Sequence, residues 1–152
     1  MLGIKFTKTH ENAQRPSQSR DFDAGYDLYS VEDMSLPYGK PVKIKTGINM
    51  EIPPGYVGLI WPRSGLGSKG VQVFGGVIDS TYRGEILVCL IWSDLEESNK
   101  IKYDTTGYYP LPKGTKIAQI LIQPVESVNF IETNALSETE RGNKGFGSSD
   151  MS

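Results

Sequence analysis

VKIKTGINMEI, residues 42–52, is the stretch of sequence that decides the fold class. Its even-numbered positions, from Val42 to Ile52, carry apolar side chains or a threonine, and the positions between them carry Lys, Gly, Asn and Glu. Successive side chains of a β-strand point to opposite faces, so this period of two predicts a strand with one buried face. The Pro-Pro-Gly run at residues 53–55 marks the end of that strand.

Further apolar runs lie along the chain on both sides of residue 80. They cover residues 56–61, 71–74, 86–92 and 117–122, and each is bounded by Gly, Pro or a polar cluster. Since no long stretch has the 3.6-residue period of a helix, the pattern predicts an all-β sandwich or barrel with at most a short helix. Residues 93–112 are polar and turn-rich, which predicts a long loop or an exposed hairpin.

Length and composition predict one globular domain. The chain has 152 residues, and its hydrophobic fraction of 38% is that of a protein with a packed core rather than a disordered one. No apolar run approaches the roughly 20 residues that cross a bilayer, and residues 1–5 do not begin a signal peptide. We therefore expect an intracellular, soluble protein of the cytoplasm or nucleus, with no membrane partner. The net charge of −2 gives no reason to expect a nucleic-acid partner.

The chain contains one cysteine, Cys89, and one histidine, His10. Cys89 lies in an apolar run, so we expect a small core side chain rather than a reactive thiol. One Cys and one His cannot supply the usual zinc ligand sets, nor a confident Ser-His-Asp or Cys-His arrangement. If the protein is an enzyme, its base is therefore expected to be a carboxylate, a lysine or a tyrosine.

GLGSKG at residues 65–70 formally matches the G-x-G-x-x-G pattern of dinucleotide sites. Such a site needs a helix that begins at these glycines inside a βαβ unit. The residues that follow, 71–76, predict a short strand instead. We therefore reject the dinucleotide interpretation, although exposed backbone N–H groups in such a loop can still hold phosphates.

Five segments carry residue types that occur in catalytic and phosphate-binding sites. They are DAGYDLY at 23–29, PRSGL at 62–66, GGVIDSTYRG at 75–84, KGTKIAQI at 113–120 and RGNKGFGSS at 141–149. In this order and spacing they resemble the five signature motifs of the trimeric dUTP diphosphatases, and the resemblance spans residues 23–149. One such motif would be weak evidence, whereas five in sequence are specific.

The resemblance implies a fold and an assembly. The family fold is a jelly-roll-like, distorted β-barrel that forms a homotrimer with heterologous interfaces. It implies a single β-barrel domain over residues 1–136 and a mobile tail over residues 137–152 that closes over an active site of the trimer. Each active site would take its second and fourth motifs from one subunit, its third from a neighbour and its tail from the remaining one.

The resemblance also implies an activity, the hydrolysis of dUTP to dUMP and pyrophosphate. Asp79 matches the carboxylate that activates a water for attack at the α-phosphorus. Without the family pattern, the cap of a tight turn would be the favoured interpretation of Asp79. Tyr82 matches the tyrosine that packs on the deoxyribose, and it is otherwise an ordinary aromatic residue at a strand start. Gly76, Val77 and Ile78 match the hairpin that reads uracil through its backbone.

The remaining motifs imply a triphosphate site with magnesium. Arg63, Ser64 and Gly65 match phosphate contacts, although Arg-Ser-Gly alone would fit a plain loop. Gln119 lies in an apolar strand, where a buried amide requires a partner, and it matches a residue that places the phosphates or the attacking water. Asp27 matches an acidic residue near the waters of the Mg²⁺ cofactor, which the three phosphates would mainly hold.

The tail would supply a lid. Arg141 matches the residue that pairs with the γ-phosphate, and Phe146 matches the ring that stacks on uracil, worth on the order of 1 kcal/mol beyond its burial. Gly147, Ser148 and Ser149 would add contacts to the bound nucleotide. Closing this lid would exclude water other than the nucleophile. Composition alone would favour a disordered tail.

The match loosens at three places. Thr81 stands where the third motif commonly has an acidic residue, and Asp150 stands near the end of a motif that commonly finishes Ser-Thr-Gly. Asp150 adds a negative charge near the triphosphate end, which would weaken binding. Residues 93–112 are longer than compact members of the family need, and we expect either a partner contact or a passive loop there.

Three alternative functions stay open at this point. A dCTP deaminase shares this fold and third motif, but Cys89 stands where its catalytic glutamate would be. A non-catalytic, nucleotide-binding regulatory protein would keep recognition and lose catalytic parts. A generic β-barrel interaction module would leave the five ordered motifs unexplained. The enzyme interpretation implies a role in limiting uracil incorporation into DNA and in supplying dUMP for thymidylate synthesis, in a cellular or virus-encoded protein.

Overall fold

The computed structural model describes residues 2–93 and 107–143, and almost all regular structure in these ranges is β. A helix of a single turn, α1, is the only helix among the described residues. The strands are β1 (Lys5–Lys8), β2 (Tyr26–Tyr29), β3 (Met34–Pro37), β4 (Val42–Glu51), β5 (Tyr56–Trp61), β6 (Val71–Phe74), β7 (Val77–Ile78), β8 (Glu85–Trp92), β9 (Tyr108–Leu111) and β10 (Lys116–Pro124), with α1 (Ser64–Gly67) between β5 and β6.

The strands form two four-stranded sheets and one two-stranded sheet. The first sheet has the order β1-β4-β8-β6, the second has the order β2-β10-β5-β7, and β3 pairs with β9. All of these pairings are antiparallel. Two such sheets around one hydrophobic core form a jelly-roll-like barrel, so the predicted all-β class is confirmed.

The alternation of apolar and polar residues along residues 42–52 determines which face of β4 is buried. Ile44, Ile48 and Met50 point into the core, whereas Lys43, Lys45 and Glu51 are exposed. Burial of side chains of this size stabilises the folded chain by about 1.5–3 kcal/mol each. Thr46 is the polar member of the buried set. Its hydroxyl donates to the carbonyl of Ile86 at 2.6 Å, so it is buried without losing a hydrogen bond.

A bulge at Gly47 interrupts the pairing of β4 with β8. The register shifts between Lys45 and Asn49, and the freed amide of Gly47 donates to a carboxylate oxygen of Glu85 at 2.7 Å. The backbone of Gly47 has φ +63°, and a Cβ there would lie 2.8 Å from the Cβ atoms of Ala13 and His10. Only glycine fits, because both the backbone conformation and the space exclude a side chain.

Residues 93–112 differ from the sequence prediction at their C-terminal end. Tyr108–Leu111 is a strand, β9, which pairs with Met34–Pro37 and buries Tyr109 and Leu111. The prediction of a loop or an exposed hairpin is therefore wrong for this part, since four residues with one proline are too short a pattern to read without the partner strand. Residues 94–106 lie outside the described ranges.

Cys89 also differs from its prediction. Along β8 the side chains of Ile86, Val88, Leu90 and Trp92 are buried in the core. The alternation therefore places Cys89 on the opposite face of the sheet, where it is a free, half-buried thiol. An apolar run indicates a strand, but it does not indicate which of its members face the core.

No strand follows β10 within the described residues, and residues 125–143 are exposed throughout. Apolar side chains on this segment are unusually accessible, with Phe130 94% and Leu136 90% exposed. The division into residues 1–136 and 137–152 stays a prediction. Within the described ranges, no helix is long and apolar enough to cross a membrane.

Candidate active site

A cleft of about 660 Å³ lies on the outer face of the sheet formed by β2, β10 and β5. Gln119 of β10 is in register with Asp27 of β2 on one side and with Trp61 of β5 on the other. Residues opposite one another on antiparallel strands share a face, so these three side chains form a row across the sheet. The neighbouring positions Leu28, Ile60 and Ile120 face the core instead.

A buried carboxylate organises the charges of this cleft. Asp27 has a side chain that is only 7% exposed, and its two oxygens contact two cations. Arg63 Nε lies 2.8 Å from Asp27 Oδ1, and Lys116 Nζ lies 2.7 Å from Asp27 Oδ2. Ser19 joins the cluster, since its hydroxyl donates to Oδ2 at 3.0 Å and accepts from Lys116 at 2.7 Å. Two cations around one carboxylate leave a surplus positive charge, which suits an anionic ligand.

The segment after β5 brings Arg63 and Ser64 to the cleft. Arg63 has an extended backbone and precedes the single turn of α1, which begins at Ser64. The strand β6 follows this turn and pairs antiparallel with β8, so the short strand predicted after residues 65–70 is confirmed. Gly65 is exposed next to Ser64 but does not line the cleft.

Gln119 is held against this same segment. The amide is half-buried on the cleft face rather than buried among the apolar side chains of the strand, so the expectation of a buried amide is wrong. Its Nε2 donates to the carbonyl of Pro62 at 2.9 Å. Gly25 lies against the other side of the amide, because a Cβ at Gly25 would overlap the Gln119 side chain. The amide therefore has one position available between β2 and the end of β5.

The third motif lies away from the cleft on the same chain. Val77 and Ile78 form β7, which pairs with Gly58 and Leu59 at the far edge of the sheet from β2. Asp79 is exposed in the turn that follows, and none of residues 75–84 lines the cleft. The structure thus brings together the first, second and fourth motifs and leaves the third apart from them.

The ring of Tyr82 is fixed on its own hairpin. Its hydroxyl donates to the carbonyl of Glu85 at 2.9 Å, and its ring lies directly over Gly84, where a Cβ would be 2.6 Å from Cζ. Gly76 is equally close to the backbone, since a Cβ there would lie 2.8 Å from the carbonyl oxygen of Ile60. The two glycines let the hairpin pack tightly while its outer edge stays exposed.

Of the tail residues predicted to contact the nucleotide, the structure describes Arg141, which is exposed. It lies within a turn in which the amide of Gly142 donates to the carbonyl of Thr139 at 3.0 Å. Phe146, Gly147, Ser148, Ser149 and Asp150 lie outside the described residues. Their predicted contacts with a nucleotide stay predictions.

The described ranges contain no group of three or more His, Cys, Asp or Glu side chains placed to hold a metal ion. Asp23 and Asp27 are the carboxylates that line the cleft. Asp27 is engaged by Arg63 and Lys116, and Asp23 Oδ2 accepts from the amide of Arg20 at 2.9 Å. These donors fit an ion that is held mainly by a ligand's own oxygens rather than by a protein cage.

Lys116, Ser19 and Arg20 are cleft or cluster residues that sequence reasoning did not single out. Lys116 lies within the fourth motif, yet its partner Asp27 is 89 positions earlier in the chain. Only the pairing of β10 with β2 brings the two together. The polar run just before the first motif was the one available signal for Ser19 and Arg20.

Comparison with known proteins agrees with this geometry. The family model described as dUTPase matches residues 11–150. The deoxyuridine 5'-triphosphate nucleotidohydrolase of Variola virus is 39% identical over 148 residues, which cover 97% of this chain and 93% of the viral protein. The protein of the same name from Clostridium tetani is 44% identical over 150 residues, which cover 97% of this chain and 94% of the bacterial one.

Solved structures give the same result. The dUTPase of Staphylococcus bacteriophage 80alpha with dUpNHpp superposes with a TM-score of 0.85 at 30% identity, covering 98% of this chain and 99% of the phage chain. A variant dUTPase from phage phi11 of S. aureus, described with a coordinated structural Mg(II) ion, gives a TM-score of 0.77 at 28% identity, covering 88% of this chain and 98% of that one. With a family match over 140 residues and relatives of this identity, the chain belongs to the dUTPase family of nucleotide hydrolases.

Proposed function

We propose that this protein hydrolyses dUTP to dUMP and pyrophosphate. A water molecule forms the new bond to the α-phosphorus and gives a proton to the carboxylate of Asp79. The bond from the α-phosphorus to the oxygen bridging to the β-phosphorus breaks, and pyrophosphate leaves with the electron pair. A carboxylate base suits a chain in which the sole histidine, His10, donates no group to the cleft.

One observation carries this proposal, the cluster at the cleft in which two cations, Arg63 and Lys116, surround the single carboxylate of Asp27. The first, second and fourth family motifs converge there, and the cluster holds Arg63 and Lys116 in place before any ligand arrives. A triphosphate needs fixed donors rather than flexible ones, because ordering a long side chain on binding costs about 0.5–1.5 kcal/mol. The cluster removes part of that cost.

Different hydrogen-bond donors of the cleft would contact different parts of the triphosphate. Arg63 offers the planar fork that matches phosphate oxygens, Ser64 and Gly65 offer a hydroxyl and a backbone N–H, and Gln119 orients a phosphate or the attacking water. Mg²⁺, when bound to the three phosphates, neutralises part of their charge. Asp27 and Asp23 would accept hydrogen bonds from the waters around that ion.

We further infer that the active site is completed by a neighbouring copy, in a homotrimer. Asp79 is exposed, and the hairpin at residues 75–84 does not line its own cleft, so the site is incomplete within one chain. Residues 125–143 expose apolar side chains such as Phe130, which favours contact with another subunit. A closed ring that joins the hairpin of one chain to the cleft of the next satisfies both observations.

Substrate selection belongs to the hairpin and the tail. Gly76, Val77 and Ile78 read the uracil edge through backbone groups, and the ring of Tyr82 packs on the deoxyribose where a 2′-hydroxyl would collide. The tail at residues 137–152 closes over the nucleotide, with Arg141 on the γ-phosphate, Phe146 on the base, and Gly147, Ser148 and Ser149 adding hydrogen bonds. Through this reaction the protein limits uracil incorporation into DNA and supplies dUMP for thymidylate synthesis.

The test is pyrophosphate release from dUTP with Mg²⁺, run beside dCTP, dTTP and UTP. We expect release from dUTP alone, and we expect Asp79→Asn to bind dUTP with near-normal affinity while losing nearly all turnover. Near-normal turnover in that variant would exclude Asp79 as the base. A folded trimer that binds dUTP without releasing pyrophosphate would instead favour a regulatory nucleotide-binding protein.

A further inference from the structure

The turn that carries Asp79 and Tyr82 is braced by side chains outside the cleft. Nη1 of Arg83 donates to two backbone carbonyls of the turn, those of Ser80 at 2.6 Å and Tyr82 at 2.9 Å. The amide of Tyr82 closes the same turn by donating to the carbonyl of Asp79 at 3.0 Å. One guanidinium nitrogen thus fixes the carbonyls on both sides of Thr81.

A second contact ties this turn to the sheet behind it. Asn49 of β4 donates through Nδ2 to the carbonyl of Arg83 at 2.7 Å. Its Oδ1 is buried without a hydrogen-bond partner within the described residues. The bond to the carbonyl of Arg83 is therefore the one side-chain hydrogen bond found for this amide within the described residues. Glu85 adds a further tie, because its carboxylate accepts from Gly47 in the bulge of β4.

We propose that Arg83 and Asn49 are positioning residues that set where Asp79 and Tyr82 face a neighbouring cleft. This inference rests on the proposed function, since it assigns a task to that same site. Asp79 is exposed, and no side-chain hydrogen bond of Asp79 is found among the described residues, whereas the ring of Tyr82 is held by its own hydroxyl bond to Glu85. The position of Asp79 relative to Tyr82 therefore depends on the backbone of the turn, which is held by Arg83 and Asn49.

The geometry explains why this position requires arginine. The two N–H groups of Arg83 Nη1 lie in the fixed guanidinium plane and donate to two carbonyls at once, whereas the three N–H groups of a lysine ammonium rotate on a flexible stem and are not held in that plane. The charge strengthens both bonds relative to neutral ones. Arg83→Lys therefore keeps the charge near the site and loses the fixed geometry, which separates positioning from electrostatic attraction of substrate.

Hydrogen exchange of residues 79–85 tests the brace without reference to activity. We expect Arg83→Ala to raise the exchange rate of the Tyr82 amide by about tenfold or more, because it removes both charge-assisted bonds that hold the turn. Asn49→Leu, which keeps the volume and removes the donor, should raise it by a smaller factor. Arg15→Ala is the matched control, because it removes the same charge from an exposed arginine for which no side-chain hydrogen bond is found among the described residues.

Steady-state kinetics then tests the consequence. Arg83→Ala should lower kcat for dUTP by about 10–100-fold, since a displacement on the order of 1 Å costs that much. Arg83→Lys should fall between Arg83→Ala and the unchanged protein. The preference for dUTP over UTP should fall too, because the ring of Tyr82 moves with the turn. Melting temperatures should stay within a few degrees of the unchanged protein, since Arg83 is exposed.

Each outcome of these measurements either supports or overturns the positioning role of Arg83. Normal exchange and normal kcat in both Arg83 variants would overturn the inference. A raised KM with normal exchange and kcat would make Arg83 a direct substrate contact and would also overturn it. If Arg83→Ala does not fold, Arg83→Lys gives the answer by the same measurements. An unchanged protein that hydrolyses no dUTP would refute the proposed function, while faster exchange in Arg83→Ala would still support the brace.

Discussion

Replacement of Asp27 by asparagine should destabilise the fold through two cations that lose their counter-charge. Asn keeps the shape, but it places a neutral amide between Arg63 Nε and Lys116 Nζ, which now lie 2.8 and 2.7 Å from the carboxylate. Removing one partner of a fully buried pair costs about 3–5 kcal/mol, and an exposed pair is worth about 0.2–1 kcal/mol. Asp27 is 7% exposed while its partners are 32% and 35% exposed, so the cluster falls between these limits.

The expected loss for Asp27→Asn is about 2 kcal/mol once the solvent around Arg63 and Lys116 is allowed for. For a chain of this length that lowers the melting temperature by about 4–8 °C. Thermal unfolding followed by circular dichroism measures the shift, at one protein concentration because an oligomer's melting temperature depends on it. A double-mutant cycle with Lys116→Met should give a coupling of about 1 kcal/mol.

Asp23→Asn is the control for this prediction. Asp23 lines the same cleft, but its carboxylate accepts from a backbone amide of Arg20 and makes no ion pair with a described residue. We expect a shift below about 2 °C. The reasoning is refuted if the melting temperature of Asp27→Asn lies within roughly 1–2 °C of that of the unchanged protein, or if Asp27→Asn and Asp23→Asn show the same shift.

Three further predictions follow from single positions. Gly47→Ala should lower the free energy of unfolding, measured in urea, by about 2–3 kcal/mol, because the new Cβ would lie 2.8 Å from Ala13 and the backbone φ is +63°. A loss below about 0.5 kcal/mol would contradict this account. Gly25→Ala should displace the Gln119 side chain and lower kcat/KM for dUTP by roughly tenfold, with little change in melting temperature. Normal kinetics in this variant would argue against a role for the Gln119 amide. Burial raises the pKa of Tyr109 above its ordinary value of 10.0. Folding therefore favours the neutral form of Tyr109, so the stability that is present below pH 10 declines as the pH rises through the folded pKa. Tyr109→Phe should flatten this alkaline decline when the melting temperature is measured over a series of pH values.

Strand assignment from the sequence succeeded where the pattern was long enough to repeat. Residues 42–52 contain five full alternations, and β4 buries the positions that the alternation selects. The four-residue strands β1, β2, β3 and β9 were not predicted, because four residues carry at most two alternations; β6, equally short, was predicted because glycines bound its run on both sides. Their stability comes from the partner strand, as the pairing of β3 with β9 illustrates.

For the candidate active site, the sequence likewise indicated some residues and missed others. The residue types that suit triphosphate chemistry, Arg63, Ser64, Asp79 and Gln119, were identified from ordered motifs. The ion pairs of Asp27 were not, and neither was the participation of Lys116. A motif records which residues occur together along the chain, whereas an ion pair depends on which side chains the folded sheet brings within 4 Å.

The sequence by itself determined the all-β class and the family, because periodicity and motif spacing are local properties that each segment carries. Only the tertiary structure decided the register that places Asp27, Gln119 and Trp61 in one row, and the separation of Asp79 from that row. The physical reason is that register results from the whole sheet at once. A slip of one residue in β10 would turn Gln119 into the core and Ile120 out of it, and burial of the core across both sheets excludes that alternative.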